Sequence, residues 1–110
     1  MDRQAPSTSV KRLEAEVRRV LRPVDIRQLA SRQRIVLEEL EQNLADSKTY
    51  SQGWELSETR PEQTENARQA RKWLASAQKN ILAASQFNIF SAIDVAHLSA
   101  QIEQLKKQLR

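Results

Sequence analysis

The chain has 110 residues, a net charge of +4, one Gly, three Pro and no Cys. That length holds one domain with a modest core. The missing Cys excludes a disulfide framework, a thiolate nucleophile and a thiolate metal site. So little Gly and Pro argues against a turn-rich β fold. Ala, Leu, Gln, Glu, Arg and Lys dominate, which points to an all-α protein.

The charge is unevenly laid out. Residues 1–34 hold nine Lys/Arg against four Asp/Glu, residues 35–66 two against eight, and residues 67–110 seven against two. An acidic middle between basic flanks can draw neighbouring helices together or leave basic faces for an acidic partner. Residues 1–10 lack the apolar stretch of a signal peptide, and the longest aliphatic run, 81–84, is far too short to span a bilayer. A soluble, cytoplasmic protein is the expectation.

Residues 1–8 are polar and contain Pro6, so they are expected to form a flexible tail ending in a cap near Ser9. A first helix over 9–22 follows, with Val10, Leu13, Val17 and Val20 on one stripe. Pro23 should end it, since proline lacks the N–H and clashes with the preceding turn. Asp25 then caps a second helix over 25–47, on which Ile26, Ala30, Gln33, Leu37, Leu40 and Leu44 share a stripe. Residues 46–60 contain Gly53, with Tyr50 and Trp54 among polar neighbours, and read as one long polar loop. Thr59 with Glu62 matches a capping box ahead of Pro61, a clear helix start.

From Ala67 to Leu109 an unbroken three-four spacing keeps small and apolar residues on one line, with Asn88 and Ser91 as its only polar members. Two structures satisfy it. One is a continuous helix over 61–110, packed on the first two helices or in an oligomer. The other breaks near 87–91, with Ser91 and Asp94 capping a new helix and Phe90 and Val95 as a hydrophobic staple. The off-seam cluster Phe87, Ile89, Phe90 and Ile93, which a lone rod would expose, favours the break. The prediction is an antiparallel bundle of about four helices (9–22, 25–47, 61–86 and 91–109) in a single domain, 9–110. Both termini and the 46–60 loop then lie at one end, opposite Pro23 and the Phe87–Phe90 corner.

Three surfaces are candidates for function. Lys11, Arg12, Arg18, Arg19 and Arg22 form a basic ridge opposite the first helix's apolar stripe, suited to an anionic partner or otherwise a solvated face. Val95 and Ile102 with Leu98, Leu105 and Leu109 form a heptad seam that could pair with a protein partner or a second copy. Phe87, Ile89, Phe90 and Ile93 either close a bundle end or face another chain. Tyr50 and Trp54 are binding anchors if the loop is mobile and core if it folds back; Trp73, beside the Ala-rich seam, is packing.

Other chemistry finds little support. Stretches beginning at Ile26 and Ile93 start like helix-turn-helix units but lack the Gly-containing turn. Asp94 and His97 stand three apart, too small a ligand set for a metal. Glu38, Glu39 and Glu41 are crowded, but acid–base catalysis would need a cleft to shift them; they read as a solvated face or as partners for Arg18 and Arg71. No cofactor motif or small-molecule substrate is evident. The lack of a helix stop signal after Leu109 is what an N-terminal domain of a longer chain would show. The sequence thus predicts a non-enzymatic adaptor or regulatory module that presents helix faces to a protein partner or to itself. The alternative is a small basic nucleic-acid-binding regulator using the first helix.

Overall fold

A computed structural model describes residues 5–110. Four helices form: α1 (Pro6–Leu21), α2 (Ser31–Leu56), α3 (Arg60–Ser85) and α4 (Ala92–Gln108). Neighbours in sequence pack antiparallel and α4 closes back on α1, giving an all-helical four-helix bundle. Cross-links fix the register: Ser7 to Glu55 and Glu14 to Lys48 join α1 to α2, Asn80 to Glu39 joins α2 to α3, Asn66 to Ser57 ties α3 to the connection before it, and Arg71 to Leu109 joins α3 to the end of α4. The start of α1, the end of α4 and the α2–α3 turn therefore share one end of the bundle, as the up-down arrangement predicts.

The expected tail shrinks. Pro6–Thr8 belong to α1, and residues 1–4 lie outside the described residues. Ala5, at the N-cap, has no side-chain acceptor. A carboxylate from another helix takes that role: Ser7 N–H donates to Glu55 Oε1 at 2.7 Å and its hydroxyl to Oε2 at 2.9 Å. An anion there also faces the positive end of the α1 dipole. At the other end, Asp25 caps only a short 3-10 turn, Ile26–Gln28, instead of α2. That helix begins at Ser31, where Gln33 accepts from Ala30 N–H and so leaves the stripe it was assigned to.

The largest correction concerns the 46–60 loop. Residues 46–56 are helical, and the α2–α3 connection is only residues 57–59. The buried line Leu37, Leu40, Leu44 continues as Ser47 and Ser51, both fully buried. Against it runs the seam of α3, with Ala67, Ala70, Ala77 and Ala84 around the larger Leu74 and Ile81. Small residues on both sides let the backbones approach. Gly53 belongs to the same contact, since a Cβ there would stand 3.0 Å from the Asn66 side chain. It is a packing residue and not a turn signal. Thr59 caps α3, its hydroxyl accepting from Glu62 N–H at 3.3 Å, so the expected capping box forms by its Thr59 half.

The break between α3 and α4 forms, so the single chain folds as a bundle in place of the continuous 61–110 helix. Asn88 has φ 66°, the left-handed conformation that Asn tolerates better than most residues. Asn88 N–H bonds Ser85 O and Ile89 N–H bonds Ala84 O, the paired bonds of a Schellman stop. Ser91 and Asp94 then cap each other reciprocally.

Two stability predictions follow from these contacts. Glu55→Ala leaves the buried Ser7 donors unpaired and should lower unfolding stability by about 1 kcal/mol in urea titration. Ser51→Ala should raise it by about 1 kcal/mol, because the Ser51 hydroxyl is buried with no partner among the described residues.

Candidate interaction groove

Pro23 stops α1 while α2 still has several turns to run toward its own N-terminus. The chain needs residues 22–30 to reach Ser31, and this connection spans a gap between the two helices without filling it. The result is a groove of about 450 Å³. Its floor is apolar: Val17 and Leu21 from α1, Ile26 from the connection, and Leu37, Leu40 and Leu44 from α2. The helical repeat that places Leu37, Leu40 and Leu44 in the core also lines the groove with them.

The rim is charged and divided by sign. Arg18 and Arg22, one turn apart, edge the α1 side, with Arg34 near the start of α2; Glu38 and Glu41 edge the α2 side. All five are exposed, and none makes an ion pair among the described residues. Glu14, at the inner end, is different: it is largely buried and held by Lys48 Nζ at 3.1 Å. A separate charged pair lies on the exposed face of α3. There hydrogen bonds from Arg68 and Gln69 lower Glu65 to about 2, and Glu65 in turn raises Arg68.

The structure divides the predicted basic ridge. Lys11, Arg12, Arg18, Arg19 and Arg22 are all exposed, but they serve different places. Arg18 and Arg22 edge the groove, Arg19 pairs with Glu16 at 3.1 Å, and Arg12 borders a separate polar hollow with Gln101, Gln104 and Gln108 of α4. The acidic crowd also separates. Glu38 and Glu41 join the groove, whereas Glu39 accepts from Asn80, itself bonded to Asn43 at 2.6 Å. Arg71, one of the partners foreseen for it, donates to Leu109 O at 2.6 Å instead.

The C-terminal seam faces inward. Leu98, Ile102, Leu105 and Leu109 are buried against the chain's own helices and Val95 is half-buried, so none is a free face while α4 is docked. Of the corner cluster, Phe90 is buried, and Phe87 and Ile89 pack partly on the core, closing that end. Ile93 alone stands out, at 81% exposure. Tyr50 and Trp54 lean on the core from α2, with Trp54 Nε1 donating to Arg110 O at 3.4 Å. Trp73 is half-buried, with Lys72 Nζ 4.9 Å from its ring centroid. His97 is exposed, 3.6 Å from Glu16, and Asp94 is engaged in its cap. No group of three or more metal-binding side chains occurs among the described residues. Nor, among them, is any helix long and apolar enough to cross a membrane.

The groove itself escaped the sequence reading. Its signal lay in the mismatch between a helix halted at Pro23 and a stripe that resumes in earnest only at Leu37. Compared with known proteins, the chain matches no family model, no curated protein and no solved structure.

Burial separates the seam from the corner in a mutational test. Leu98→Asp or Leu105→Asp buries a charge in the core and should cost about 3 kcal/mol or more, abolishing the cooperative thermal transition of a marginally stable bundle. Ile93→Asp should leave the circular-dichroism spectrum and melting temperature nearly unchanged.

Proposed function

We propose that the protein is a cytoplasmic, non-enzymatic helical interaction module, and that its α1–α2 groove receives the amphipathic helix of a protein partner. The observation that carries this is the joining of an apolar floor to a rim of unpaired charges of both signs. A groove of about 450 Å³ accommodates two or three large apolar side chains from one face of a helix, which is how helix-in-groove recognition anchors itself. Arg18 and Arg22 favour acidic residues along one flank of that helix, and Glu38 and Glu41 favour basic residues along the other. Such complementarity fixes orientation and speeds encounter.

The test is selection of binders from a library of amphipathic helical peptides. Selected peptides should carry apolar residues three or four apart with opposite charges on their two flanks. Their affinity should fall about tenfold or more for Leu21→Asp, and also for Arg18→Glu with Arg22→Glu, in chains whose melting temperature is retained. Binders indifferent to both changes would place the interaction elsewhere.

A second reading, nucleic-acid binding by α1, draws on the exposed cations Lys11, Arg12, Arg18 and Arg22, none of which makes an ion pair among the described residues. It requires affinity for DNA or RNA that falls steeply with salt. A titration at low salt that shows no binding disposes of it.

A further inference from the structure

The seam passes through the α3–α4 corner without changing phase. Ala84, Asn88, Ser91 and Val95 keep the three-four spacing that runs from Ala67 to Leu109. Two helices meeting at an ordinary turn have no need of a common register, because each is free to roll about its own axis. A shared register matters when the two are at times one helix. Residues 62–110 contain no Gly or Pro, and the chain is turned by a left-handed Asn88 followed by the Ser91–Asp94 cap.

We infer that Asn88 is a hinge, and that α4 exchanges between two copies of this chain. In the resulting dimer each copy's α3 and α4 merge into a single helix. The contacts of the closed form support this. The α3–α4 links Arg71 to Leu109 and Gln78 to Lys106 are both centred on the corner. Two straightened helices laid antiparallel about a two-fold axis at the corner therefore recreate the same pairs between chains. Leu98, Ile102, Leu105 and Leu109 fill the same core, now that of the partner.

In the merged helix the polar members of the seam, Asn88 at position a and Ser91 at position d, meet their counterparts across the two-fold axis. The α1–α2 groove is not part of the exchange, so this inference and the groove reading succeed or fail separately.

The experiment compares the wild type with Asn88→Ala and Asn88→Gly, each refolded from urea at high protein concentration and sized by light scattering. Ala is disfavoured in the left-handed conformation and favoured in a helix, and two hinges are relieved per dimer. Asn88→Ala should therefore raise the dimer-to-monomer ratio about tenfold or more over wild type, while Asn88→Gly should lower it. Exchange is distinguished from side-by-side pairing by Gln78→Cys with Lys106→Cys in the otherwise Cys-free chain, joined with a short bis-maleimide. In the dimer fraction this linker should connect two chains, and in the monomer it should close within one. A folded Asn88→Ala that stays monomeric, or a dimer whose links remain within single chains, overturns the inference. An Asn88→Ala chain that fails to fold also counts against it, because a hinge position must tolerate the straight helix. A wild-type Cys pair with no inter-chain link after concentrated refolding does the same.

Discussion

Everything in this bundle hangs from the close contact between α2 and α3. Each is 26 residues long, about 39 Å at the rise of an α-helix, and each exceeds α1 and α4 by roughly ten residues. The contact is made by small side chains: Ser47, Ser51 and Gly53 on α2 meet an Ala-rich seam on α3. A thin interface of this kind gains its energy from many weak dispersion contacts at short range, so it depends on fit more than on any single large residue. Larger side chains complete the core, where Leu13, Leu40, Leu74 and Ile102 are fully buried.

Because α1 and α4 are short, their ends must be tied down, and both are tied at the same end of the hairpin. Glu55 caps the start of α1. Arg71 and Trp54 donate to Leu109 O and Arg110 O, just past the end of α4. The opposite end receives no such closure on the α1 side, where Pro23 stops the helix early. One end is thus locked by polar ties and the other carries the groove. The same difference in helix length produces both.

The helical class, the Thr59 and Ser91 caps and the break at Asn88 were legible because each rests on a local rule: composition, side-chain capping, or an apolar cluster that a rod would strand. What escaped reading depended on a second helix. Ser47, Ser51 and Gly53 look like loop residues in isolation and become core only when an Ala-rich face lies opposite. Asp25 has the chemistry of a helix cap, but the chain beyond it turns once and moves on before α2 begins. The cap on α1 comes from Glu55, 48 residues away from Ser7, and no local pattern encodes it. The groove is likewise a relation between where α1 stops and where α2 starts, and neither segment announces it alone.

The layout of charge separates folding from recognition. An acidic middle segment between basic flanks suggests helices drawn together by opposite signs, yet the bundle scarcely uses that arrangement. Among the described residues, the ion pairs between helices are Lys48 with Glu14, which joins a cation on the acidic segment to an anion on a basic one, and the His97–Glu16 contact, which needs a protonated imidazole. The other pairs are local, between residues two or three apart, and contribute little at an exposed surface. Arg18, Arg22, Glu38 and Glu41 sit close enough to border one groove and still remain unpaired. Charges that do not contribute to holding the fold are available to orient something else. A helix laid between them would satisfy both walls at once, while its apolar face covered a floor that the connection after Pro23 leaves open.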